Sequence, residues 1–342
     1  MRTDKKVIRK PKQLLTMKNL LTLTIIIAVY LMIAALVEFH ILNRQFTNLI
    51  VPIGANIILA VSLNLVTGFL GELSLGHAGF MAIGAFTSAI FTLNVNMPGN
   101  PEFFLAIIIG GSVAALFGFL IGVPVLRLRG DYLAIVTLGF GEIIRSIINA
   151  ISLPAGLDKA GKLIVKKGTM GLSGITTYSN YTWVYIAVII TIIACANLVK
   201  SRHGRVICSI RDNYIAAESI GIHVSRFKIM AFVFAAFFAG VAGALYGHNY
   251  SNIKATDFGY DKSIDILVFV VLGGMGNIKG SVIAAIILTV LPELLRSAQD
   301  YRMLMYAVLL IAMMIFNSSE LKTRMQESDK LSRITRLFKL SK

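Results

Sequence analysis

Charge is scarce in this chain. Charged residues make up 15% of the 342 positions, against about 25% in soluble domains. That shortage leaves no room for a large soluble domain. Acids are scarcer still, 17 against 33 Lys and Arg, for a net charge of +16. Such an excess could suit nucleic acid. However, the Lys and Arg gather at the two ends and in a few short loops, as membrane orientation requires, so no nucleic-acid partner is expected. Cysteine is nearly absent. Cys195 lies in an apolar run and Cys208 in a basic loop, an arrangement that argues against a disulfide. Catalytic signatures are missing too: there is no G-x-S-x-G and no H-E-x-x-H. The five histidines, at 40, 77, 203, 223 and 248, show no zinc-ligand spacing. Gly156–Leu163 is a near miss to a phosphate-binding loop. Leu163 stands where a Ser or Thr metal ligand is needed, and no strand is expected to lead in. No catalytic residue, metal or cofactor is therefore expected, and the chain reads as a non-enzyme whose chemistry is transport or is supplied by partners.

Apolar sequence is what the chain has in abundance: 56% of residues, with a mean hydropathy of +0.76. The reading is an all-α membrane protein, a polytopic bundle of about ten transmembrane helices. Expected spans are 20–37, 48–66, the run up to 93, 103–126, 132–151, 183–199, 229–246, 263–272, 282–291 with its flanks, and 304–316. Residues 1–18 carry seven Lys/Arg and one acid. They read as a cytoplasmic terminus rather than a cleaved signal peptide, because the apolar run that follows is too long and lacks a clear small-residue cleavage site. The tail after Asn317 carries seven Lys/Arg and three acids. The domain division is a basic cytoplasmic segment 1–19, a membrane domain 20–317 and a basic cytoplasmic tail 318–342. With this topology 23 of the 33 Lys/Arg fall on the cytoplasmic side. Residues 152–180 form a polar, Gly-rich outer loop.

Three stretches carry more than hydropathy. In residues 68–86, glycines at 68, 71, 76, 79 and 84 break the span pattern, and Ser74 and His77 add polar groups. Two readings stay open there: tight helix packing, or a broken, re-entrant segment lining a pathway. Asn56, Ser62 and Asn64 interrupt the preceding span, and polar groups at that depth face other helices or a pathway. Glu142 and Arg145 stand three apart in a span, so they share a face and can pair. A structural ion pair and a pathway-lining pair are both open. Residues 200–228 hold six Lys/Arg against two acids, a cytoplasmic loop by charge. Within it Asp212 can cap a short helix that Gly221 ends. Tyr214, Ala217 and Gly221 recur at helical spacing and give that helix a small, smooth face. It is a docking element for another protein or an ordinary amphipathic loop helix.

Residues 65–86 (LVTGFLGELSLGHAGFMAIGAF), 130–145 (GDYLAIVTLGFGEIIR) and 271–285 (VLGGMGNIKGSVIAA) resemble the branched-chain amino acid permease family of ABC importers. The resemblance covers roughly residues 50–317, and the middle segment is more similar to the M-type subunit than to its H-type partner. The family implies a bundle resembling the vitamin B12-type importer permeases, with about ten helices. It implies a paralogous permease as heterodimer partner, two cytoplasmic ABC ATPases, an external binding protein, and residence in lipid of the bacterial inner membrane with both termini inside. Importers of this kind carry an E-A-A-x-x-x-G loop that docks the ATPase. Here Ala216, Ala217, Glu218 and Gly221 match A-A-x-x-x-G, Ile215 stands where many relatives have Glu, and Asp212 precedes them. The resemblance thus implies ATPase coupling at Asp212, Ala216, Ala217, Glu218 and Gly221. Asn64, Ser74, His77, Glu142 and Arg145 are the candidates for the translocation path. The implied function is ATP-driven import by alternating access of leucine, isoleucine and valine. Alternatives are urea or short amides as cargo, or an ion-coupled secondary transporter.

Overall fold

A computed structural model describes residues 44–95, 100–126, 128, 130–157, 163–167 and 170–295, together with isolated positions within 24–38 and 301–311. The expected spans 20–37 and 304–316 therefore lie largely outside the described residues, as do the basic terminal segments. The chain divides into two units, Met1–Asn48 and Leu49–Lys342; the architecture below is that of the second.

Helix α1 covers Arg44–Asn64 and passes directly into a π turn, Leu65–Leu70. Gly71, at φ 79°, stops it, a left-handed backbone that glycine adopts without steric cost. An irregular stretch follows, and α2 begins only at His77 and runs to Asn94. The run 68–93 is therefore not one span. It is a helix end, a break and a new helix. Next come α3 (Asn100–Val125) and α4 (Asp131–Ala150). A hairpin of β1 (Ser152–Leu157) and β2 (Leu163–Lys167) follows, paired antiparallel with Ser152 opposite Lys167. Then come strand β3 (Leu172–Ser173), α5 (Tyr181–Lys200), α6 (Arg202–Asp212), α7 (Tyr214–Ser219) and α8 (Val224–Gly247). Strand β4 (Asn252–Ile253), α9 (Tyr260–Gly273) and α10 (Ile278–Leu294) complete the unit.

Two sequence expectations change here. A strand does lead into the phosphate-loop look-alike, contrary to expectation, but a second strand follows instead of the helix such a loop requires. In addition, β3 pairs with β4, Leu172 opposite Ile253, so the two expected outer segments, 152–180 and 247–262, join through a backbone ladder.

Among the described residues, five helices are long and apolar enough to cross a membrane: 47–70, 100–125, 131–150, 181–200 and 224–247. Helices α9 and α10 have 14 and 17 residues, about 21 and 25 Å at 1.5 Å per residue, against a hydrocarbon thickness of about 30 Å. They fold back on each other through Gly274–Asn277, with Gly273 of one against Gly280 and Ser281 of the other.

The core is the packing of α2, α3 and α8. A Cβ on Gly84 would collide with the backbone of Gly240, and one on Gly240 would stand 2.8 Å from the carbonyl of Gly110. Three helices therefore meet backbone to backbone at three glycines, the close approach that small residues allow where lipid supplies no hydrophobic driving force. Phe80 adds edge contact to Phe232, 5.4 Å between centroids, and packs on Phe140 at 5.6 Å, tying α2 to α8 and α4.

Candidate coupling arm and polar core

The loop 200–228 is a built arm. Ser201 caps α6, its Oγ accepting from the Gly204 N–H at 3.2 Å. The sequence pattern predicts one helix capped by Asp212. Instead, α6 runs through Asp212, and Asn213 interrupts it with an extended backbone at φ −159°. The Asn213 Oδ1 accepts from the N–H groups of both Ile215 and Ala216, at 3.1 Å each. Asp212 instead pairs with Arg211 at 3.0 Å. The physical reason is that an Asn at the break satisfies two free N–H groups while leaving the acid to a nearby guanidinium.

Gly221 ends the arm as expected. Its φ is 86°, its N–H reaches the Glu218 carbonyl, and the Ile222 N–H reaches that of Ala217. The small, smooth face does not survive intact. Ala217 is 3% exposed, packed into this chain's own core. Nothing lies near the place a Gly221 Cβ would take. The outward surface is apolar: Ile215 is 63% and Ile220 76% exposed, with Tyr214 about a third exposed. Ala216 and Glu218 are exposed as well. The sequence signal for this surface was the Ile215 that replaces the usual Glu.

The arm is anchored at both ends. At the end of α6, the Arg211 Nη1 donates to the carbonyl of Gly68 in the π turn, at 3.1 Å. At the start of α8, buried Lys228 ion-pairs with Glu72. Leu70, Glu72, Asp131, Arg211, Tyr214 and Lys228 are among the residues lining a cavity of about 360 Å³ between arm and bundle. Lys228 and Glu72 stand 156 residues apart, so no local pattern could have revealed the pair.

Inside the bundle, polar groups are organised around helices that start partway along it. Glu142 accepts from the N–H of Tyr260, the first residue of α9, at 3.0 Å. Glu142 is eleven residues into α4, about 17 Å along it. Helix α9 therefore begins near the middle of the bundle, its positive end facing a carboxylate. The second residue of α2 stands beside it: the Ala78 N–H donates to Ser263 Oγ at 3.1 Å. Two helix N-termini thus meet at mid-bundle, the arrangement of discontinuous helices that transporters place at their substrate sites.

The five path candidates divide accordingly. His77 is buried, its Nε2 2.8 Å from Ser62 Oγ. Asn64 is fully buried. Its Nδ2 donates to Ser281 Oγ at 2.9 Å, and its Oδ1 accepts from the Gly276 N–H at 2.8 Å. These two join elements within the subunit. Ser74 is 1% exposed, and its hydroxyl has no partner among the described residues. Glu142 and Arg145 do pair, Nε to Oε2 at 2.7 Å, with about a third of each side chain open to the surroundings. Lys262 joins this polar core without a sequence pattern that marks it. Its Nζ donates to Asn56 Oδ1 at 2.9 Å, and Asn56 in turn donates to Thr289 Oγ1 at 2.9 Å. In the sequence Lys262 directly follows a polar loop and is indistinguishable from it.

A family model for "Branched-chain amino acid transport system / permease component" matches residues 45–316. The high-affinity branched-chain amino acid transport system permease protein LivM of Escherichia coli is 38% identical over 284 residues, covering 76% of this chain and 66% of that protein. The chain thus matches just under two thirds of that relative's length. Ribose import permease protein RbsC of the same organism is 28% identical over 323 residues, 90% of this chain and 95% of that one. Nucleoside ABC transporter permease protein NupC of Lactococcus lactis is 26% identical over 197 residues, 53% and 60% of the two chains. No solved structure matches. The matched range takes in the glycine-packed core, the arm and the α9–α10 hairpin together, and the chain belongs to the family of branched-chain amino acid transport permease components.

Proposed function

We propose that this chain is the transmembrane permease subunit of an ATP-driven importer of branched-chain amino acids. The observation that carries the reading is the arm. A short helix with exposed Ile215 and Ile220 protrudes from a basic loop and is keyed by Arg211 and Lys228 to the break in α1. An apolar surface on a basic loop suits docking of a partner better than solvent. In this reading the partner is a pair of cytoplasmic ABC ATPases, which hydrolyse the ATP. Asp212, Ala216, Glu218 and Gly221 belong to the docking surface, and Ala217 supports it from inside. A paralogous permease forms the other half of the pore. The full subunit has about ten helices in a vitamin B12-type arrangement, in the inner membrane with both termini cytoplasmic.

Closure of the ATPases moves the arm, and the bundle alternates between outward and inward access. The discontinuous starts of α2 and α9 lie where cargo would pass, with Glu142, Arg145 and Ser74 nearest to it and Asn64 and His77 holding the walls. The ladder between β3 and β4 makes one outer platform of two loops, a surface for an external binding protein. Selection among leucine, isoleucine and valine rests largely on that protein. The named relatives that carry ribose or nucleosides favour a bundle tolerant of cargo.

The test is reconstitution with the paralogous permease, both ATPases and the binding protein in vesicles. ATP-dependent leucine uptake is expected, suppressed by excess isoleucine or valine but not by urea. Uptake that ignores ATP and follows an ion gradient would overturn the reading in favour of a secondary transporter.

A further inference from the structure

We propose that Arg211 is the positioning residue through which movement of the α6–α7 arm reaches the centre of the bundle. It does so by gripping the π turn of α1, and Asn64 one turn back relays the movement to the turn between α9 and α10. The inference rests on the proposed function and names the residue that executes it.

The geometry begins with an unsatisfied carbonyl. Carbonyls in the last turn of a helix have no partner within it. The Val66 carbonyl receives the N–H groups of Gly71 and Glu72. The Gly68 carbonyl receives the Arg211 guanidinium instead, at 3.1 Å. A cation at the negative end of a helix is also favoured by the dipole. Arg211 lies flat on Gly71, where a Cβ would stand 2.6 Å from its Cγ. Gly276 meets the same corner: a Cβ on Gly68 would strike its amide, and a Cβ on Gly276 would stand 3.4 Å from the Gly68 carbonyl oxygen and 3.5 Å from Arg211 Nη1. The Gly276 N–H is held by Asn64, which is held in turn to Ser281 of α10. A displacement of Arg211 therefore acts on α1, and through Asn64 on the α9–α10 hairpin, across hydrogen bonds of 2.8 to 3.1 Å.

Two features make this a moving joint rather than a fixed staple. The π turn is rare, occurs mostly as a single turn within an α-helix and is frequent at functional sites. It can take up or release one residue of register. The Arg211 guanidinium also divides its donors between the Gly68 carbonyl and the Asp212 carboxylate, at 3.1 and 3.0 Å, and is 40% exposed. It can shift from one acceptor to the other as the arm moves. Buried Lys228–Glu72 holds the arm's other end meanwhile.

The experiment uses the full reconstituted complex and measures ATP hydrolysis and leucine uptake in the same vesicles. Arg211→Ala is compared with Arg211→Lys and with Arg205→Ala on the same helix. Arg211→Ala is expected to retain the ATPases on co-purification, while leucine carried per ATP falls about tenfold or more, the scale of one lost charge-assisted contact. Arg211→Lys keeps a point donor without the planar fork, and is expected roughly threefold down. Arg205→Ala is expected to match the unsubstituted complex. If Arg211→Ala does not accumulate, the ratio in Arg211→Lys decides. An unchanged ratio in the Arg211 variants overturns the inference. So does loss of the ATPases from Arg211→Ala, which would make Arg211 a docking residue, or an equal defect in Arg205→Ala. If the unsubstituted complex shows no ATP-dependent uptake, the proposed function itself fails and this inference falls with it.

Discussion

Removing Glu142 should cost more than removing Arg145, although the two form one ion pair. Glu142 has two jobs: Oε2 takes the Arg145 guanidinium at 2.7 Å, and Oε1 accepts the N–H that opens α9 at 3.0 Å. Breaking a fully buried pair costs about 3–5 kcal/mol, and a fully exposed one contributes about 0–1 kcal/mol. With roughly a third of each side chain exposed, the pair falls between these limits. Arg145→Ala is therefore expected to cost about 1–2 kcal/mol, because Glu142 keeps its hold on Tyr260. Glu142→Ala loses that hydrogen bond as well, worth about 1.5–3 kcal/mol for a charged acceptor, and should cost about 2.5–5 kcal/mol. Glu142→Gln keeps an acceptor for Tyr260 and should fall close to Arg145→Ala. The double alanine variant should recover only the part due to the stranded Arg145, about 1 kcal/mol. The assay is reversible unfolding of the purified subunit in mixed micelles with increasing SDS, all four variants side by side. Equal losses for the two single alanine variants, or full recovery in the double, would refute the assignment of Glu142 to the start of α9.

Ile220→Glu should leave folding nearly intact, because its side chain is open to the surroundings; Gly221→Asp meets no crowding but forces a side chain onto a φ of 86°, and should cost the subunit about 1–2 kcal/mol. They should weaken ATPase retention about tenfold, as measured by co-purification. Ala217→Glu should instead reduce permease abundance itself, checked by quantitative blotting of membranes, because Ala217 is buried in its own chain. Gly84→Ala should destabilise the bundle by about 3 kcal/mol or more, read from SDS unfolding, because its Cβ collides with the backbone of Gly240. For topology, with Cys195 and Cys208 replaced, a cysteine at Ser201 should resist an impermeant thiol reagent in intact cells and one at Lys166 should react. The reverse pattern would invert the bundle.

Composition and charge placement were enough to make this a membrane protein with a basic arm, because lipid imposes its demands residue by residue. Apolar runs, the Lys/Arg bias and a glycine at a left-handed helix end are local requirements, and Gly221 was legible for that reason. The i, i+3 spacing of Glu142 and Arg145 was likewise enough to place them on one face. Local pattern could not show that Glu142 also receives Tyr260, 118 residues on, or that Lys228 finds Glu72 across 156. Nor could it decide between packing and a break in 68–86. The structure has both, since Gly84 packs while Gly71 ends a helix and α2 restarts at His77. Helix starts at mid-bundle depend on which buried acceptors meet their free N–H groups, and those acceptors come from other helices. The direction of Ala217 was decided the same way. Its size permits either an inward or an outward face, and only the neighbouring elements determine that it packs inside while Ile215 and Ile220 face out.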